Sequence, residues 1–251
     1  MKALVTGASS GMGRDMARYL AEKGYDLILV ARRGYRLEEL RSELSGVSVR
    51  IIEKDLSIQE NCFSLYDEVR DENVDFLINN AGFGVYGEFV SVPLEKELEL
   101  INVNIRALHI LTKLFLKDMY DRDSGVILNV GSAAGFLPGP TFSSYYASKN
   151  YVVRLTEAIH EEMRRRKKNI RVSALCPGPV NTEFNKVADV SFSVGGLRSE
   201  YVAKYAIDKA LRGKMIITPG RLLKLTKFLE HFAGEKLLTR MSYNVQSRRK
   251  S

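Results

Sequence analysis

Short apolar runs and amphipathic stretches alternate along this chain from its first residues. Runs rich in Leu, Ile and Val near 2–6, 26–31, 48–52, 75–79, 125–130, 170–175 and 214–218 have the length and composition of strands. Between them, near 12–23, 35–44, 58–71, 95–120, 146–167 and 199–212, apolar residues recur at helical spacing. This βα alternation predicts a parallel sheet with helices on both faces. Right-handed crossovers make it a doubly wound α/β fold, which takes ligands outside the carboxyl ends of its strands. No internal repeat or long polar linker interrupts the pattern, so residues 1–251 are expected to form one domain.

Composition narrows the function classes. Of 251 residues, 45% are hydrophobic and 27% charged, an ordinary globular balance. No run reaches the ~18 uncharged apolar residues of a membrane span, so no integral membrane segment is expected. The chain passes from Met1 straight into a strand-like run, which predicts no secretory leader. Cys62 and Cys176 lie too far apart for a disulfide framework or a metal site, and are expected to be buried in a reducing cytoplasm. The net charge of +8 raises the question of nucleic acid. Its densest run, Arg164-Arg165-Arg166-Lys167-Lys168, has no interleaved aromatic residues and sits where a helix should end, so it reads as a solvated helix end. No nucleic-acid partner is expected; a positive surface suits an anionic cofactor or substrate.

Candidate chemistry begins at the first strand-to-helix turn, Thr6-Gly7-Ala8-Ser9-Ser10-Gly11-Met12-Gly13. Glycines there let backbone N–H groups approach a phosphate, and the following helix N-terminus favours negative charge. The second strand ends in Ala31, then Arg32 and Arg33, where an NAD site usually has an acidic residue for the ribose hydroxyl. Guanidinium groups instead take a 2′-phosphate, which points to NADP(H); two exposed loop arginines are the plain alternative. Asp55, with Leu56 beside it, follows the third strand and faces either an adenine edge or its own turn. Asn79-Asn80-Ala81-Gly82 follows the fourth, small enough for close approach, with Asn80 placed to tie strands together. Tyr145 and Lys149 stand four residues apart, on one helix face, with Ser132 thirteen residues upstream. A phenol ionises near ~10, and a neighbouring cation in a cleft lowers that value and readies the proton for transfer. Tyr146 pairs at the same spacing with uncharged Asn150. His109, His160 and His231 lack companion ligands, so no metal site is expected.

Together these residues resemble the short-chain dehydrogenases/reductases, in their single-domain branch. The likeness is carried by Thr6 to Gly13, Asn79 to Gly82, Asn104, Ser132 with Tyr145 and Lys149, and Pro177-Gly178-Pro179-Val180-Asn181-Thr182. It implies a Rossmann-type sheet and an NADP(H)-dependent oxidoreductase that interconverts a carbonyl compound and an alcohol. By this resemblance Tyr145 is the general acid and Ser132 hydrogen-bonds the carbonyl oxygen. Lys149 lowers the tyrosine pKa and binds the nicotinamide ribose. Asn104, rather than Asn102, holds a water of the proton relay. Val180 and Thr182 contact the nicotinamide carboxamide, and Pro177 and Gly178 belong to the cofactor site beside them. The cofactor-binding set adds Gly7, Ser9, Ser10, Gly11, Met12, Gly13, Arg32, Arg33, Asp55, Leu56, Asn80, Ala81 and Gly82.

The rest of the chain bears on substrate and assembly. Residues 183–199 read as a substrate lid or as an ordinary surface loop. Phe83, Val85, Phe136, Leu137, Phe142 and Phe184 are candidates for an apolar pocket, which suits a lipophilic substrate such as a 3-oxoacyl thioester or a steroid. Residues 219–251 form a helical extension in which Leu222, Leu223, Leu225, Phe228, Leu229 and Phe232 recur at helical spacing. A basic amphipathic helix of this kind caps a cleft, joins subunits or lies on a membrane surface. The extension replaces the tail with which many family members form tetramers, and a homodimer is expected. Two readings from other classes compete: a nucleotide-sensing binding module and a membrane-surface scaffold.

Overall fold

The computed structural model describes residues 1–184, 196–220 and 234–247. Most of the proposed lid (185–195), the apolar series from Leu222 to Phe232, and His231 therefore lie outside the described residues.

Seven strands form one parallel sheet in the order β3-β2-β1-β4-β5-β6-β9. They are β1 (Lys2–Thr6), β2 (Asp26–Ala31), β3 (Val49–Glu53), β4 (Phe76–Asn79), β5 (Gly125–Val130), β6 (Ile170–Leu175) and β9 (Ile216–Ile217). The two-residue strands β7 (Val180–Asn181) and β8 (Leu197–Arg198) pair separately and bring the ends of the 182–196 segment together. The period of two along each strand divides its side chains between two cores. Ala3, Val5, Leu27, Leu29, Phe76 and Ile78 face one side, against α1 (Gly11–Glu22), α2 (Gly34–Glu43) and α7 (Ser199–Ala210). Leu4, Ile28, Val30, Leu77 and Ile127 face the other, against α3 (Gln59–Val69), α5 (Leu108–Asp121) and Met163 of α6 (Ser143–Arg165). Both faces are covered, which is why the strands read as continuous apolar runs.

The predicted helix over 95–120 is two helices, α4 (Leu94–Ile101) and α5, joined by a wider π turn over Asn102–Ala107. Such turns are rare and recur at functional sites. Asn104, only 1% exposed, sits on this turn and bonds backbone outside its own helix. The last strand is also shorter than the predicted 214–218 run; only Ile216 and Ile217 pair, with Ala174 and Leu175.

A buried polar network joins the central strands to the helices behind them. Asn79 donates to Thr112 and to Asn129, both at 2.9 Å, and Asn129 donates to Thr156 at 3.1 Å. It fixes the ends of β4 and β5, the platform from which the site residues project. At the end of α6, Arg164 and Arg165 pair with Glu161 on exposed helix surface. The remaining helix, α8 (Glu235–Ser247), leaves Leu237, Met241 and Tyr243 exposed. No described helix is long and apolar enough to cross a membrane.

Candidate active site

Strand order reverses between β1 and β4, and a cavity of about 510 Å³ opens at their carboxyl ends. Its floor is the glycine-rich turn. Gly7 (φ +66°) and Gly11 (φ +52°) adopt the left-handed conformation that other residues take only with strain. Gly13 has no room for a side chain: a Cβ there would lie 2.4 Å from both Asn80 Nδ2 and the Gly7 carbonyl oxygen. Asn80 earns that proximity by donating to the carbonyls of Thr6 (3.0 Å) and Gly7 (3.2 Å). Thr6 Oγ1 in turn accepts from the backbone N–H of Asn80 and Ala81, at 3.0 Å each. The two strand ends are thereby sewn together, and α1 begins at Gly11; its first residues, Gly11 and Met12, line the cavity.

The two arginines after β2 both line the cavity but meet different partners. Arg33 turns toward the glycine-rich turn and donates to Ser10 Oγ (3.0 Å) and Ser9 Oγ (3.2 Å). Arg32 is more than half exposed and pairs with Glu99 (3.1 Å) and, more loosely, Asp55 (3.8 Å). Of the two roles weighed for Asp55, the turn role is visible: its Oδ1 accepts from the Ser57 N–H at 2.9 Å. Asp55 and Leu56 both line the cavity wall. Arg36, unremarked in the sequence, reaches the same corner as Arg33, and both bind Glu183. Its place three residues after Arg33, in the first turn of α2, was the available signal for Arg36. Nothing in the sequence flags Glu183 beyond a lone charge following Thr182.

At the opposite end of the cavity lie Ser132, Tyr145 and Lys149. Tyr145 and Lys149 project from the first turns of α6, and Ser132 follows β5, where its Oγ accepts from the Ala134 N–H at 3.1 Å. Burial pushes the Tyr145 phenol up to about 12, while its hydrogen bond with Ser132 acts the other way. Burial also brings Lys149 down to about 8. The net shift of the phenol is thus upward, where the sequence expectation was a lowered one. The ammonium stands 5.8 Å from the centre of the Tyr145 ring and donates to the Val130 carbonyl at 2.8 Å, so desolvation dominates both groups. The phenol is a proton-bearing acid throughout the neutral range. Strongly perturbed groups facing one cleft are a mark of functional sites.

Asn104 Oδ1 accepts from the Phe83 N–H (3.1 Å), and its Nδ2 donates to the Phe83 carbonyl (2.9 Å) and to Ser148 Oγ (3.1 Å). It joins the π turn to the loop after β4 and to α6. Gly82 lies between Asn104 and Lys149; a Cβ there would be 2.8 Å from Asn104 Oδ1. The Pro177 carbonyl accepts from the Ala133 N–H at 2.8 Å, fixing the Pro177–Thr182 segment beside Ser132, and Thr182 packs on Gly11. Gly178 and Val180 line the same wall.

The apolar pocket is aromatic. Phe142 stacks on Tyr145 with centroids 4.6 Å apart, Phe184 lies 5.4 Å from the same ring, and Phe83 and Tyr146 join them at the cavity, while Val85, expected at the pocket, packs with Tyr86 in the same cluster without lining the cavity. Phe136 does not join it; it packs with Val153, Ala174 and Cys176 on the far side of α6. Leu137 does face the cavity. His109 bonds the Tyr151 hydroxyl (2.7 Å) and His160 the Val172 carbonyl (2.9 Å). Among the described residues, no three His, Cys, Asp or Glu side chains gather as a metal site.

Comparison with known proteins settles the family. Residues 1–190 match the family described as short chain dehydrogenase. The chain belongs to the short-chain dehydrogenases. Among similar members is a very-long-chain 3-oxoacyl-CoA reductase of Anas platyrhynchos, 35% identical over 201 residues, or 76% of this chain. This chain spans 63% of that reductase's length. Among solved structures, a short-chain dehydrogenase from Sphingobium yanoikuyae in complex with NADPH superposes with a TM-score of 0.83 at 31% identity, covering 88% of each chain. A family member from Burkholderia phymatum in complex with NAD gives 0.82 at 25% identity over 92% of each chain. Solved relatives of this short-chain dehydrogenase thus hold either nicotinamide cofactor.

Proposed function

We propose that this chain is an NADP(H)-dependent oxidoreductase that reduces a ketone or aldehyde, reversibly an alcohol, on a lipophilic substrate such as a 3-oxoacyl thioester. The observation that carries the reading is one continuous cavity with basic and hydroxyl groups at one end and the Ser132–Tyr145–Lys149 set under an aromatic wall at the other. The residues present fit a dinucleotide. Gly7, Gly11 and Gly13 leave space where a Cβ would collide, the α1 N-terminus suits a pyrophosphate, and Arg33 with Ser9 and Ser10 suits a 2′-phosphate. Met12, Asp55 and Leu56, Asn80 to Gly82, and Pro177, Gly178, Val180 and Thr182 would line its remaining length. When bound, the nicotinamide supplies the hydride.

The chain's own groups manage the proton and the charge. Ser132 hydrogen-bonds the substrate oxygen and offsets its growing negative charge. Tyr145, held protonated by its burial, gives its proton to that oxygen; an alkoxide is a stronger base than a phenolate, so the transfer runs downhill. Lys149, fixed by the Val130 carbonyl, holds positive charge 5.8 Å from the centre of the Tyr145 ring, where it favours the phenolate as it forms. Asn104 positions the loop at Phe83 that borders the pocket. Phe142, Phe184, Tyr146 and Leu137 exclude water and favour an apolar carbonyl compound. This reading includes one domain, a homodimer and a cytoplasmic setting.

The 3-oxoacyl choice is supported by the similarity to the reductase named above and by the aromatic pocket. NADPH oxidation measured against 3-oxoacyl thioesters, steroid ketones and small aromatic ketones tests it. The thioesters are expected to give the highest kcat/KM. Preference for steroids would replace the substrate class, and cofactor binding without turnover on any of them would favour a sensing module.

A further inference from the structure

Glu183 occupies the corner that the reading above gives to the 2′-phosphate. Its Oε2 accepts from both terminal nitrogens of Arg33, at 3.2 Å each, and its Oε1 accepts from Arg36. Arg33 meanwhile donates to Ser9 and Ser10 of the glycine-rich turn. A carboxylate bridging two guanidinium groups uses the same forked, charge-assisted donors that a phosphate monoester uses. The neighbours of Glu183 tie it to the rest of the site. Thr182 packs on Gly11, the Phe184 N–H donates to Thr182 Oγ1 at 3.3 Å, and the Phe184 ring lies 5.4 Å from Tyr145. One short segment therefore touches the anion corner and the aromatic wall.

We propose that Glu183 is a specificity-determining residue that competes with the cofactor's 2′-phosphate for Arg33 and Arg36. The inference rests on the NADP(H) reading and adds Arg36 to Arg33, Ser9 and Ser10 as a partner for the phosphate. A 2′-phosphate carries more charge and more acceptor oxygens than the carboxylate and takes over both guanidinium groups, releasing Glu183. A cofactor with a bare 2′-hydroxyl leaves the ion pairs in place. Glu183 thus lowers the affinity for the phosphorylated cofactor and leaves that for the other unchanged. The pairs are partly exposed, which sets the effect at a modest size.

Calorimetric titration with adenosine 2′,5′-bisphosphate and adenosine 5′-monophosphate tests this without any turnover. Glu183→Gln should bind the bisphosphate roughly three- to tenfold more tightly, with the monophosphate within about twofold of wild type. In an Arg33→Ala/Arg36→Ala background, the same substitution should have no effect on either ligand. Equal tightening for both ligands, or no change for the bisphosphate, overturns the competition. A wild-type protein that binds the two ligands equally overturns the NADP(H) reading itself and this inference with it.

Discussion

Replacing Lys149 with Met should give a protein whose stability relative to wild type is highest at neutral pH and falls as the solution becomes alkaline. Lys149 is 5% exposed, its ammonium donates to the Val130 carbonyl, and burial depresses its pKa from 10.5 to about 8. Each tenfold in proton affinity is about 1.4 kcal/mol, so the buried charge costs roughly 3 kcal/mol relative to the neutral amine. Below pH 8 the group is charged in both the folded and unfolded states, and the penalty is fully present. Between about 8 and 10.5 the folded state has shed the proton while the unfolded chain keeps it, so wild-type stability rises with pH through that window. The variant lacks this rise. Urea unfolding of both proteins at pH 7 and pH 10 should show the variant's relative stability falling by about 2 kcal/mol. Other titrating groups are common to both proteins and cancel. At pH 7 the gain is reduced by about 1–3 kcal/mol for the orphaned Val130 carbonyl. A stability difference independent of pH would refute the claim that the buried ammonium is strained by desolvation.

Three further substitutions probe other parts of the site. Arg33→Ala should weaken NADPH binding by about ten- to a hundredfold, with NADH within about twofold, as read by cofactor fluorescence; equal losses would contradict a 2′-phosphate role. Gly13→Ala should lower the free energy of unfolding by about 1–3 kcal/mol, because its Cβ would overlap Asn80 and Gly7. An unchanged urea midpoint would show that the turn is looser than described. Asn129→Leu should cost about 1–3 kcal/mol in the same assay, since Asn79 and Thr156 each lose a buried hydrogen-bond partner, Asn79 keeping only Thr112 and Thr156 only the Val152 carbonyl.

Local periodicity was enough for the sheet. Six of its seven strands fall within a residue or so of the apolar runs, because a strand buried on both faces has little room for polar residues. The break at Asn102–Ala107 was not legible: Leu98, Ile105 and Leu108 continue an apolar rhythm, and the π turn is set by where Asn104 finds backbone partners around Phe83. The glycine-rich turn and the Tyr145/Lys149 spacing were legible because each chemistry needs particular residues at fixed local distances. Side-chain direction was not. Arg32 and Arg33 are neighbours in sequence, yet one meets Glu99 and the other Ser10, and Phe136 turns away from the pocket into the core. The upward shift of the Tyr145 phenol was not legible for a related reason, since proximity to a lysine was visible while the depth of burial was not.

The role of Tyr145 as proton donor is tested most directly by Tyr145→Phe. NADPH affinity by fluorescence titration and single-turnover reduction of a 3-oxoacyl thioester should be measured on the same preparation. The account predicts a rate of reduction lower by about 10²- to 10⁴-fold with cofactor affinity within about twofold of wild type. A variant that binds NADPH normally and reduces the thioester at the wild-type rate would contradict it.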